Sequence, residues 1–251
     1  MKKMFKVAAA GILAASVATA GFLSQQPLVA EAGLLGGLGG AITKGVLKNG
    51  ANIDIEGLSN RQAKMLEHLY YSVALMQTAS ENAVNGANGN HALQDIVKAK
   101  SVANSLQGNE TGINGFKDSA DKTTADLQNA KASYQNLISE GDEAKLKQVD
   151  GMVKASTEQR LISDTIAGYA AIEAGKILKA TLPALKNPGA NADKINALIK
   201  TAKHTNDLLK VRSKLSKNLS AATQAYRKAR DIPEDKDAAK KTADNLSAPA
   251  E

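Results

Sequence analysis

Residues 194–230 read KINALIKTAKHTNDLLKVRSKLSKNLSAATQAYRKAR, and their spacing decides the fold. Leu198, Leu208, Leu215, Leu219, Ala222, Tyr226 and Ala229 recur at steps built from threes and fours, with Ile195, Leu209 and Val211 beside them. That period keeps one apolar seam on one side of an α-helix and suits packing in a bundle or coiled coil. Thr205 and Arg212 interrupt the seam. Pro233 ends the helix, because proline cannot donate the backbone hydrogen bond that a further turn needs.

The same period appears upstream. Leu66, Leu69, Tyr70, Val73, Met76, Ala79 and Ala83 predict a helix over about 59–84, closed by the Asn85–Asn90 run NGANGN. Ser59 and Gln62 have the spacing of a capping box at its start. Leu93, Ile96, Val97, Ala103 and Leu106 predict a second helix that ends near Gln107. A third starts near Asp118, uses Leu127, Ala130, Tyr134, Leu137 and Ile138, and stops at Gly141. From Asp142 to about Leu185 a fourth stripe runs through Leu146, Val149, Val153, Ile162, Ile166, Tyr169, Ile177 and Ala180. Pro183 should kink or end it, and Asn187-Pro188-Gly189 is a turn.

Composition agrees. Aromatic residues make up 3% of the chain and tryptophan is absent, whereas alanine and leucine are abundant. Such side chains build cores by close helix–helix approach rather than on sheets. The expected fold is all-α: an extended antiparallel bundle of four to five helices. The chain has no cysteine, which removes disulfides, thiolate metal sites and cysteine nucleophiles together.

The first thirty-two residues read as an export signal. Lys2, Lys3 and Lys6 precede an apolar run from Val7 to Leu23, and Ala30-Glu31-Ala32 presents small residues where a signal peptidase requires them. The run falls a little short of the roughly 20 apolar residues that span a bilayer. The domain reading is therefore 1–32 signal peptide, 33–57 glycine-rich apolar leader, 58–232 helical bundle, and 233–251 a disordered tail too polar to pack. The leader includes GLLGGLGGAITKGVLKNG over Gly33–Gly50, either a flexible or docked segment or a membrane and self-association element.

Charge is segregated along the chain. The formal net charge of +7 falls to +5 once three lysines and one glutamate leave with the signal. Residues 194–230 hold ten Lys or Arg against the single acid Asp207, while residues 101–173 hold seven basic and eleven acidic side chains. In the last long helix Lys200, Lys203, Lys210, Lys214, Lys217 and Lys228 fall mainly away from the leucine seam. These six are the candidate residues for an anionic surface such as lipid head groups or an envelope polymer. The competing account is a solvated face partly neutralised by the acidic third and fourth helices. Aromatic stacking platforms are missing, which argues against a single-strand nucleic-acid binder.

Catalytic and metal constellations find little support. No Glu has a His three residues later, as an inward-facing di-iron bundle needs, and His68, His91 and His204 lie on three different segments. Asn52–Gly57 (NIDIEG) resembles the first half of a calcium loop, but Ala63 stands where the closing bidentate Glu belongs. There is no Gly-x-Ser-x-Gly elbow and no phosphate-loop ending of the Gly-Lys-Ser/Thr form. Asp142-Glu143 and other acids have no sequence context that would separate their pKa values for acid/base work. No cofactor and no enzymatic activity are expected. The expectation is an exported, envelope-associated or secreted non-enzymatic helical protein that binds or scaffolds. Its partner would be an anionic lipid or envelope polymer, or another helical protein including its own copy. The alternative is a membrane-active protein, pore-forming or lipid-binding, that uses the leader.

Overall fold

The computed structural model describes residues 53–106, 110–186 and 191–247. The signal peptide and most of the glycine-rich leader lie outside the described residues. Six α-helices pack together: α1 (Ile55–Ala87), α2 (Ile96–Leu106), α3 (Glu110–Glu140), α4 (Glu143–Thr181), α5 (Ala192–Ala229) and α6 (Lys236–Ser247). A 3-10 turn, Pro183–Lys186, follows α4. Pro183 thus ends the helix as expected, with α4 closing at Thr181.

Helix α1 starts earlier than the capping-box reading placed it. Asp54 is the N-cap, and its carboxylate accepts from the Gly57 N–H at 2.9 Å. Ser59 lies inside the helix, where its hydroxyl donates back to the Ile55 carbonyl at 2.9 Å. The aspartate won because a carboxylate accepts the orphan N–H groups of a first turn and also favours the positive end of the helix dipole. In α4 the same device recurs: Asp142 accepts from the N–H groups of Ala144 and Lys145. Gly141, at φ 66°, supplies the left-handed residue that ends α3.

The four long helices α1, α4, α5 and α3 form a ring of neighbours, α1 pairing most extensively with α4, and α3 and α4 lying across the diagonal. Successive helices alternate in direction. Yet α3 and α5 run parallel, since Lys214 meets Asp121, Asn218 meets Thr124, and Tyr226 meets Tyr134, with numbers rising together. Only α4 opposes the other three long helices, as alternation along the chain requires. Helix α2, whose 11 residues fold back along α1, returns the chain to the same end before α3 begins, so α1 and α3 also share a direction. Asn82, fully buried, fixes that return: its amide donates to the Gln94 carbonyl at 2.8 Å and accepts from the Gln94 N–H at 2.8 Å. Gln159 of α4 donates to the same carbonyl at 2.6 Å.

The tail is a second correction. Residues 236–247 are helical and lie on α4, with Ala239 and Ala243 buried in the main core. Polar composition hid a stripe only two alanines wide, four residues apart. The seam of α5, in contrast, stands except at its last residue: Leu198, Leu208, Leu215, Leu219, Ala222 and Tyr226 are all buried, whereas Ala229, at the helix end, is exposed. Leu209 and Val211 flank it, partly buried.

Two substitutions test this packing. Leu215→Asp places a charge among buried apolar side chains and should cost about 3 kcal/mol or more in urea unfolding. Gly86→Ala in α1 would set a Cβ 2.9 Å from Met152 Cβ and 3.3 Å from Tyr134 Oη. Overpacking of this kind costs about 1–3 kcal/mol. Gly175→Ala in α4, with nothing within 4 Å, should instead stabilise by up to about 1 kcal/mol.

Candidate anionic-surface site

Helix α5 positions the six candidate lysines. At 3.6 residues per turn, Lys200, Lys203, Lys210, Lys214, Lys217 and Lys228 fall within an arc of about 100°, opposite the buried seam, and all six are exposed. They do not form one compact cluster. Lys210, Lys214 and Lys217 come together along a shallow groove between α4 and α5, which Ala171, Asn206, Leu209 and Ser213 complete. Lys200 and Lys203 lie two to three turns toward the N-terminus of α5, and Lys228 lies roughly 16 Å beyond Lys217 toward its C-terminus.

Neutralisation of this face is partial. Lys210 pairs with Asp207 at 2.9 Å, both well exposed, and Lys214 reaches Asp121 of α3 at 3.6 Å. The hydrogen bond and charge of Lys210 hold the Asp207 carboxyl below its usual range, with small further help from His204 and Lys117. Among the described residues, Lys200, Lys203, Lys217 and Lys228 have no carboxylate within 4 Å. Lys117 of α3 is thus a neighbour that sequence reasoning did not include. It falls just before the start then assigned to that helix, and α3 in fact begins at Glu110.

A second charged assembly lies inside. Arg212 is 3% exposed. Its guanidinium donates to Ser163 Oγ at 2.8 and 3.0 Å and pairs with Asp164 at 2.6 Å. Ser163 in turn donates to the Ser72 carbonyl of α1 at 2.6 Å, and Ser216 donates to Asp164 at 2.8 Å. Burial pulls the Arg212 pKa below the usual arginine value, and Asp164 opposes that shift. Arg160 bridges Asp164 at 3.1 Å and Glu234 at 2.6 Å, and Arg227 meets the same Glu234 oxygen at 2.8 Å. A third group joins Arg230 to Asp150 at 2.9 Å and Glu143 at 2.8 Å, with Tyr226 donating to Asp150. The two apparent defects of the seam have different fates: Arg212 is the centre of a network, while buried Thr205 leaves its hydroxyl oxygen without a partner.

The histidines stand apart, His68 on α1, His91 in the α1–α2 loop and His204 on α5. Among the described residues, no group of three or more His, Asp or Glu side chains is arranged to hold a metal ion. Asp54 of the calcium-like NIDIEG stretch instead caps α1, its Oδ1 accepting from the Gly57 N–H. Nor is any described helix long and apolar enough to cross a membrane. Comparison of the chain with models of known protein families, with curated proteins and with solved structures finds no match.

His68 generates a pH prediction. It packs edge-on against Tyr169 with ring centroids 5.7 Å apart, and its Nδ1 is buried without a partner. Burial holds its pKa below 6.5, although Glu67 and Glu173 pull the other way. The unfolded chain therefore takes up this proton first as pH falls through about 6.5, and stability is lost below that point. Urea midpoints measured at pH 7.5 and 5.5 should fall less for His68→Gln than for the wild type.

Proposed function

We propose that this is an exported, non-enzymatic helical-bundle protein that attaches to anionic envelope surfaces through the lysine face of α5. The observation that carries the reading is the composition of that face. Six lysines share one exposed side of a single long helix, and four of them have no carboxylate within 4 Å among the described residues. The groove beside Lys210, Lys214 and Lys217 also offers Asn206 and Ser213 as hydrogen-bonding groups for phosphate or carboxylate oxygens. Lysine suits such a role because its ammonium is a compact point charge that follows a polyanion without demanding fixed geometry. Export rests on the cationic start, the apolar run and the Ala30-Glu31-Ala32 sequence.

Near a negatively charged bilayer each lysine contributes on the order of 1 kcal/mol, so part of the set gives measurable attachment. The exported protein should co-sediment with vesicles containing phosphatidylglycerol but not with neutral phosphatidylcholine vesicles. Binding should fall steeply between low and physiological salt, because exposed charges are screened over about 8–10 Å. Changing Lys200, Lys203, Lys210, Lys214 and Lys217 together to Glu should abolish binding while circular dichroism stays helical. Salt-independent binding, or none to any anionic vesicle or envelope polymer, would reduce the face to a solvated surface.

A further inference from the structure

The assembly around Glu234 has a different chemistry from the lysine face and does not depend on it. Helices α4 and α5 bring three guanidiniums together, Arg160, Arg212 and Arg227, yet supply one acid to them, Asp164. Asp164 is engaged by Arg160, Arg212 and Ser216. The remaining positive charge is met by Glu234, which belongs to the segment linking α5 to α6 rather than to either helix. Both Arg160 and Arg227 close on a single Glu234 oxygen, Oε1, at 2.6 and 2.8 Å. The arginine side chains are 9% and 11% exposed, and Glu234 is 27% exposed, so the clamp opens outward on the side where the glutamate enters.

The clamp also has unused capacity. Arg227 Nε is buried and has no partner, although a guanidinium normally offers Nε and a terminal nitrogen side by side to two oxygens. The carboxylate of Glu234 does not reach it. A tetrahedral oxyanion would bring further oxygens to the same pair of arginines. The segment that carries Glu234 is also lightly held. Helix α6 packs on α4 through Ala239 and Ala243, with Leu246 partly buried, and its polar tie to α4, Tyr169 to Asp244, lies at the surface, where Asp244 also pairs with Lys240 of α6 itself. Two alanines and one part-buried leucine supply little apolar area, and area sets the strength of such docking.

We propose that Arg160 and Arg227 form a binding site for a phosphate group that Glu234 fills from within, so that α6 is a strap displaced when phosphate takes the glutamate's place. Phosphate would accept from both guanidiniums and from the bare Arg227 Nε. Release of Glu234 would uncover the stretch of α4 on which Ala239 and Ala243 rest.

Hydrogen exchange of α6 in the whole chain tests this directly. In the wild type, inorganic phosphate should speed exchange of residues 236–247 relative to sodium chloride of equal ionic strength. Phosphate as a general solute strengthens burial and slows exchange, so acceleration is diagnostic. Glu234→Gln should speed α6 exchange on the order of tenfold without added phosphate, because it removes a charge-assisted contact. It should also gain roughly 3–5 °C in thermal midpoint with phosphate at about ten times its dissociation constant. The double variant Arg227→Gln with Glu234→Gln should lack that gain. An equal effect of glycerol phosphate would identify a phosphate monoester as the ligand; an effect of inorganic phosphate alone would identify the free ion. If wild-type α6 exchanges no faster in phosphate than in chloride, the site is a structural ion pair and the proposal fails. The wild-type comparison decides even if Glu234→Gln does not fold. Equal midpoint gains in the single and double variants would overturn it as well.

Discussion

The close approach of α1 and α4 is the constraint on which the rest of the bundle depends. Small residues line this contact: Ser72, Ala79, Ala83 and Gly86 on α1, and Ser156 and Ser163 on α4, all buried. Because the backbones come so near, side-chain hydroxyls of α4 reach main-chain oxygens of α1. Ser156 donates to the Ala79 carbonyl at 2.7 Å and Ser163 to the Ser72 carbonyl at 2.6 Å. Tyr134 of α3 reaches the Ala83 carbonyl in the same way. Each such bond contributes only about 0.5–1.5 kcal/mol net, but a hydroxyl left bare at the same depth would cost about 1–3 kcal/mol. The bonds therefore select one register. A contact lined by small residues has particular need of this, since apolar contacts alone tolerate sliding.

That register sets what α5 meets. With Ser163 facing Ser72, Asp164 on the next position of α4 turns toward α5, and Arg212 enters between them. A guanidinium at this depth is tolerated only because its donors are met by Ser163 and Asp164. An unpaired charge there would cost several kcal/mol. The order runs from small residues to close helices, from close helices to a fixed serine, and from the serine to a buried arginine. The α1–α2 loop is tied to the same frame through Asn82 and Gln159, both buried.

Much of this was legible in the residues, and the parts that were not have definite causes. The seam of α5, most of the helical stripes, the stop at Gly141 and the break at Pro183 follow from local spacing and backbone chemistry, so sequence carries them well; in the short α2 the stripe fails, since Leu93 precedes the helix and both Leu93 and Val97 are exposed. The cap at Asp54 was missed because a serine-glutamine spacing a few residues later offered a competing pattern. Helix α6 was missed because Ala239 and Ala243 make too narrow a stripe to outweigh a polar segment. Its docking is a tertiary fact supplied by α4. Arg212 looked like a flaw in the seam, and its meaning appears only when Ser163 and Asp164 stand opposite. For the lysines, the shared face was readable from the helical period, but the neighbours Asp121 and Lys117 were not.

Arginine and lysine divide the surface of α5 between them. Its three arginines, Arg212, Arg227 and Arg230, meet Asp164, Glu234, Asp150 and Glu143, all from α4 or from the segment after α5. These are the acids that a reading of net charge would have assigned to neutralise the basic helix. The planar fork of arginine matches a carboxylate in a crowded, half-dry setting, whereas lysine keeps its strongly hydrated ammonium in water. Asp164, Asp150 and Glu143 of α4 are therefore spent on arginine, and the outward lysines are left with Asp207 and Asp121 as their nearest partners. Burial of the arginine pairs thus explains why a chain with many acids still presents a cationic face. It also separates two settings within one helix: the arginines tie α5 to α4 and to the segment before α6, while the lysines stay at the exposed surface.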